Sequence, residues 1–194
     1  MPAPNPRLQR TRFARGTASF CCLAWLLIVR SVAGQQDHRA PEGFGWRELS
    51  DVKAAILLPE GWKAEIETTN GNVIYVETER NTPTPSRFSF SVIKGPNKAG
   101  SPEKLADDFL KGISIVYRAE KTWGDEKGPF ITRAGFFVSS GDQASRVKAF
   151  SQIIVNKTTG TVYVLGFEAV QKEWDAKWNI GQVVCGVVRI NDEY

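Results

Sequence analysis

The spacing of turns in the C-terminal half constrains this chain most. Four runs rich in aromatic and β-branched residues, Arg118 to Trp123, Phe130 to Ser139, Arg146 to Val155 and Thr161 to Ala169, are separated only by Gly124 to Pro129, Ser140 to Ala144 and Asn156 to Gly160. Such residues favour pleated, half-buried backbone, and the Gly, Asn and Ser between them favour turns. Strands joined by connections this short pair as an antiparallel meander.

The first half extends the same pattern. Trp46 to Leu49 and Lys53 to Leu58 read as strands, the second running into the turn Pro59-Glu60-Gly61. Trp62 to Thr68 and Val73 to Glu79 flank Thr69-Asn70-Gly71-Asn72, and Asn-Gly is the strongest short hairpin signal. Arg80 to Ser86 holds two prolines and reads as a loop. Phe88, Phe90 and Val92 then alternate with Ser89 and Ser91, which predicts a strand with one buried face.

Two helices interrupt the strands. Ser101 is a suitable N-cap, Pro102 suits the first helical position and Glu103 complements the helix dipole. Leu105, Phe109 and Ile113 recur on one face, with Lys104, Asp107, Asp108 and Lys111 opposite and Gly112 weakening the last turn. The second helix is predicted over Glu173 to Val188, with Trp174, Trp178, Gly181, Val184 or Cys185, and Val188 on one face as core aromatics and aliphatics. Gly181 and Gly186 either permit close approach to a sheet or bring the helix to an earlier end. The prediction is one α+β domain over residues 45–194, a central, mostly antiparallel sheet flanked by helices.

The N-terminus reads as a secretion signal over residues 1–34. Arg7, Arg10, Arg12 and Arg15 form a cationic region, Phe20 to Val29 an apolar run, and Ser31-Val32-Ala33 a small-residue cleavage motif, so cleavage is predicted after Ala33 or Gly34. Ten apolar residues are about half of the roughly 20 a spanning helix needs, and Arg30 closes the run, so no stable membrane span is expected after cleavage. Residues 35–44, polar and rich in Pro and Gly, read as a flexible lead-in. An exported protein, periplasmic or extracellular, is the expectation.

Removing the signal changes the charge. Five of the 25 Lys+Arg lie in residues 1–34 and none of the 21 Asp+Glu do, which leaves 20 against 21. A near-neutral domain without clustered Lys/Arg argues against nucleic acid as a partner. Cys21 and Cys22 leave with the signal, so Cys185 stands alone in the apolar run Val183-Val184-Cys185 and reads as a small buried hydrophobe.

Catalytic residue sets are sparse. His38, in the lead-in, is the single histidine, so a Ser-His-Asp or Cys-His arrangement lacks its base in the folded domain and a histidine metal site lacks its ligands. No phosphate-cradling Gly-rich loop and no Gly-x-Ser-x-Gly elbow occurs. The adjacent carboxylates Asp107-Asp108, Asp125-Glu126 and Asp192-Glu193 point apart by local geometry, and only long-range pairing would make them a hydrolytic site. Trp62, after a turn, and Trp123, before Gly124, are candidates for a shallow surface groove or for burial against the sheet. Asn156-Lys157-Thr158 matches a glycosylation acceptor. No catalytic residue, cofactor or metal site is assigned.

The run Ile56-Leu57-Leu58-Pro59-Glu60-Gly61-Trp62, the helix start Ser101-Pro102-Glu103-Lys104-Leu105 and the closing Glu173-Trp174-Asp175 resemble the PsbP-like superfamily over about residues 45–190. The resemblance implies an α/β/α sandwich and action by binding or assembly rather than catalysis. The short apolar run after a basic stretch is unlike the long Ser-rich transit region of lumenal photosynthetic members, and points to an exported bacterial relative. The leading expectation is an exported, non-catalytic domain that binds a protein or small ligand or assists assembly at the cell envelope. The alternatives are a carboxylate-based hydrolase and a photosystem-associated or metal-binding extrinsic protein.

Overall fold

The computed structural model describes residues 30–31, 39–69, 72–96, 100–142 and 145–190. The strands are β1 (Arg30–Ser31), β2 (Phe44–Leu49), β3 (Ala54–Pro59), β4 (Lys63–Thr69), β5 (Asn72–Thr78), β6 (Arg87–Ile93), β7 (Tyr117–Lys127), β8 (Phe130–Ser139), β9 (Val147–Asn156), β10 (Val162–Val170) and β11 (Val188–Ile190). Helix α1 (Pro102–Val116) lies between β6 and β7, and α2 (Trp174–Gly186) follows β10 through a short 3-10 turn.

The strands form two sheets. The larger has the order β4-β5-β6-β10-β9-β8-β7, all antiparallel, and the smaller the order β1-β11-β3-β2. In the smaller sheet only the two-residue β1 is parallel to its neighbour, β11. Helix α1 packs on β7, β8 and β9 from one side. Helix α2 packs on β10, β9 and β3, so it lies between the two sheets on the other side. The α+β domain predicted from the strand and helix pattern, an antiparallel sheet flanked by helices, is therefore the observed architecture, with a second small sheet that the sequence did not announce.

The two faces of the large sheet differ in kind. In register across β6, β10, β9 and β8 stand Phe88, Phe167, Phe150 and Phe136, a ladder of phenylalanines on the α2 side. Trp174 and Trp178 stack at 5.0 Å and 14° and meet this ladder, with Trp178 centred 5.2 Å from both Phe136 and Phe150 and 5.9 Å from Phe167. Each aromatic pair adds about 0.5–1.5 kcal/mol beyond its burial. The same cluster takes in Ile56 and Leu58 of β3 and Val188 and Ile190 of β11, which joins the small sheet to the large one.

The helix starts as its sequence predicts. Ser101 Oγ accepts from the Lys104 N–H at 3.3 Å, with Pro102 in the first turn. The second helix departs from expectation at its end. It stops at Gly186, and Val188 lies in β11, paired with Ile56. Tertiary pairing of the β-branched run with β3 outweighs continuation of the helical pattern. The turn expected over Gly124 to Pro129 shrinks to 128–129, because β7 continues through Lys127. Gly124 sits inside that strand, where a Cβ would lie 2.8 Å from Arg133 Nη1. Ala33, Gly34 and His38 lie outside the described residues.

Side-chain clamps tie the β5–β6 loop to α2. Lys177 Nζ donates to both Glu79 oxygens at 2.7 Å, and Glu79 Oε2 also accepts from the Ser86 N–H at 3.2 Å. Thr84 Oγ1 lies 2.7 Å from both Glu173 oxygens. Burial pushes the Glu79 carboxyl up, but the hydrogen bonds from Lys177 and Ser86 outweigh it and hold the group below its ordinary value of 4.5.

Two predictions follow from this packing. A Cβ at Gly181 would meet Trp178 Cε3 at 2.5 Å and Phe167 Cδ1 at 2.6 Å, whereas one at Gly186 meets nothing within 4 Å. Gly181→Ala therefore lowers unfolding stability by about 1–3 kcal/mol despite the better helix propensity of alanine. Gly186→Ala changes it by less than about 1 kcal/mol in urea titrations of both variants. The second concerns pH. A carboxyl depressed in the folded state contributes stability above its unfolded pKa, and that contribution is lost as pH falls through the folded value. Lys177→Met costs about 1–3 kcal/mol at neutral pH. It is also expected to remove part of the stability loss on acidification below pH 4.5. Parallel acid limbs for the two proteins would contradict the clamp.

Candidate functional site

Helix α1 is seated by Leu105 and Ala106 against Ile131, Ile153, Val155 and Val162. Arg133 Nε donates to Asp107 Oδ1 at 2.6 Å and ties β8 to the helix surface. The helix does not reach across the whole sheet. On its side, Ser89 of β6, Gly166 of β10, Ser151 of β9 and Gly135 of β8 fall in one register row, so the sheet presents a trough of small residues. A Cβ at Gly166 would lie 2.7 Å from Ser89 Oγ, and the missing side chain keeps the trough open.

The trough and the helix flank border an open cleft of about 610 Å³. Leu105, Phe109, Ile113 and Val116 of α1 form an apolar wall, and Ser89, Ser151 and Gly166 form the floor. This is within the roughly 300–1,000 Å³ range of small-molecule sites. Tyr117, the C-cap of α1, lines this cleft and two neighbouring cavities of about 250 Å³ and 510 Å³. The smaller holds Arg87 and Glu168. Tyr117 donates to Glu168 Oε2 at 3.5 Å, and Arg87 Nη1 lies 3.7 Å from Glu168 Oε1. Burial, then the Glu168 charge, pushes the Tyr117 phenol up, so it remains a neutral hydrogen-bond donor in the cleft. The third cavity contains Arg118 and Arg146.

The residues singled out from sequence lie elsewhere. Trp62, between β3 and β4, is half-buried against the α2-side core. Trp123 is half-buried on the same side of the sheet, 5.5 Å from Phe136 and 6.0 Å from Phe150. Trp62 adjoins one edge strand, β4, and Trp123 lies on the other, β7, so the fold does not bring the two together in one groove. Asp107 pairs with Arg133, Asp108 with Lys104, and Glu126 with Lys157, while Asp125 Oδ1 accepts from the Glu126 N–H. Asp192 and Glu193 lie outside the described residues. Among the described residues no three His, Cys, Asp or Glu side chains gather as a metal site. Asn156 of the glycosylation pattern is fully buried, and its Oδ1 accepts from the Thr158 and Thr159 N–H groups at 2.8 and 3.1 Å. That side chain holds the β9–β10 turn and is closed to a glycan.

The sequence reading missed the cleft because its floor comes from three strands, β6, β10 and β9. Ser89 was legible only as the polar alternate of a strand, and Ser151 and Gly166 carried no signal until register aligned them.

Cys185 is 3% exposed within the α2 cluster, and burial pushes its thiol up. Native protein at mildly alkaline pH is expected to leave Cys185 unmodified by an aromatic disulfide reagent, with complete labelling after denaturation. Peptide-resolved mass spectrometry separates it from Cys21 and Cys22, and rapid native labelling would contradict its place in the core.

The sequence matches no family model and no curated protein. Solved structures do match. The cyanobacterial PsbP protein CyanoP of Synechocystis sp. PCC 6803 superposes with a TM-score of 0.54 at 12% identity, covering 81% of this chain and 98% of that one. LpqN of Mycobacterium tuberculosis, involved in cell envelope biogenesis, gives 0.53 at 15% identity over 76% of this chain and 90% of its own. The Ran-binding protein Mog1p of Saccharomyces cerevisiae gives 0.53 at 13% identity, covering 77% and 96%. At these identities the likeness is one of architecture, and with the layers described above it establishes that the chain has the PsbP-like fold.

Proposed function

We propose that this chain is an exported, non-catalytic binding domain whose cleft beside α1 receives a small ligand or a segment of a partner protein at the cell envelope. The observation that carries the reading is the cleft of about 610 Å³, apolar on its helix wall and hydroxyl-lined on its floor. Pockets of this kind bind through apolar contact and are oriented by a few polar groups. The single described thiol is buried, and Asp107, Asp108 and Glu126 are each engaged by a cation, which favours binding over hydrolysis.

Export rests on the basic, apolar and small-residue order of residues 1–34. No described helix is long and apolar enough to cross a membrane. The envelope role stated for LpqN agrees with this reading. Cleavage after Ala33 or Gly34 would remove β1 and free the outer edge of β11.

Two measurements test the reading. N-terminal sequencing of protein recovered outside the cytoplasm is expected to begin at Gly34 or Gln35, and a retained Met1 would refute processing. Ser151→Trp fills the trough from its floor. Wild-type and Ser151→Trp proteins are used as baits against an extract of the source cells, with bound small molecules and proteins identified by mass spectrometry. Species kept by the wild type should be lost from the folded variant. Equal retention by both would place the binding surface elsewhere.

A further inference from the structure

The cleft ends at a surface of different chemistry. Beyond Val116 and Tyr117, the cavity of about 510 Å³ is lined by Ile115, Val116, Arg118, Val138, Ser139 and Arg146 among its walls, and no carboxylate lines it. Ile115 is 82% exposed and Val116 67% exposed, the most exposed large hydrophobics among the described residues. Leaving two such side chains in water forfeits the free energy that their burial would contribute. Arg118 and Arg146 line the same cavity, where Arg146 Nη2 also donates to the Gly141 carbonyl at 3.0 Å. At the far side of Tyr117 the charges are already matched, Glu168 with Arg87 and Asp108 with Lys104.

Resting on the binding reading above, we propose that the two adjoining cavities, which share Val116 and Tyr117 in their walls, together take a single-chain anionic amphiphile. Its apolar chain lies between α1 and the Ser89–Gly166–Ser151 trough, and its anionic head meets Arg118 and Arg146. The wall from Val116 back to Leu105 offers about 16 Å of helix at 1.5 Å per residue, comparable to an extended dodecyl chain. The α1 C-terminal carbonyls oppose an anion with about half a charge, against which the two arginines supply two full charges. An acidic peptide fits less well, because repeated negative charge would run past Asp108 and Glu168. Ion pairing at the head adds to chain burial, so the two ends act together.

The test is a titration of the isotopically labelled protein, followed by amide NMR shifts, with dodecanoate below its micelle concentration. Monododecanoyl glycerol serves as the uncharged probe of the same chain and acetate as the head alone. Dodecanoate is expected to shift α1 from Phe109 to Val116 together with Ser89, Ser151 and Gly166. It should bind at least tenfold more tightly than the uncharged probe, with acetate too weak to saturate. Arg118→Gln with Arg146→Gln should remove that preference while leaving amide shifts elsewhere unchanged. Equal affinity for the charged and uncharged probes would overturn the anionic head and leave the cleft reading intact. Binding that survives Ser151→Trp would show the chain sits outside the cleft. No binding of either twelve-carbon probe would overturn the amphiphile proposal, and the bait comparison then decides the cleft reading separately.

Discussion

The contact between two stacked tryptophans and a ladder of phenylalanines determines how this molecule is put together. Trp174 and Trp178 descend from α2 onto Phe136, Phe150 and Phe167, which successive strands deliver in register. That contact fixes the height of α2 above the sheet, and the bare backbone at Gly181 lets the helix come so close. With α2 fixed, β11 is carried to the edge of β3, and Ile56, Val188 and Ile190 close the space between the sheets. Removing the ladder would therefore undo more than the local packing, because the small sheet touches the large one through the same cluster.

The opposite face is built from the alternate residues of the same strands, and it contrasts with the first. Where Phe150 and Phe167 face α2, their neighbours Ser151 and Gly166 face the α1 side. A strand cannot choose its two faces independently, so a dense aromatic row on one side and a small-residue row on the other sit one residue apart. Helix α1 covers β7 to β9 through Leu105 and Ala106, with Phe109, Leu110 and Ile113 packed beside them, while its flank from Leu105 to Val116 leaves space above the trough. The division of labour is physical: the α2 side supplies stability, and the α1 side supplies volume.

Much of the fold was legible because it is local. The hydroxyl cap at Ser101, the alternation of Phe88, Phe90 and Val92, and the short turns of the C-terminal meander each act within a few residues. The end of α2 was not legible, because pairing of Val188 to Ile190 with β3 involves residues more than a hundred positions away. Strand β7 likewise runs past Gly124 because Arg133 packs across it. The cleft belongs to the same class of non-local feature. Trp62 and Trp123 drew attention as large residues near turns, whereas the structure spends both on packing and makes its cleft where side chains are small.

Site-resolved amide hydrogen exchange tests this division most directly. If the aromatic side carries the stability and α1 is the looser cover, the amides of Phe150, Ile154, Leu165 and Phe167 exchange only through global unfolding. Those of α1 from Leu110 to Val116 then exchange through local openings at least about 2 kcal/mol lower in free energy. Equal exchange free energies for α1 and for β9 and β10 would contradict the account, since the cleft wall would then be as firmly held as the aromatic core.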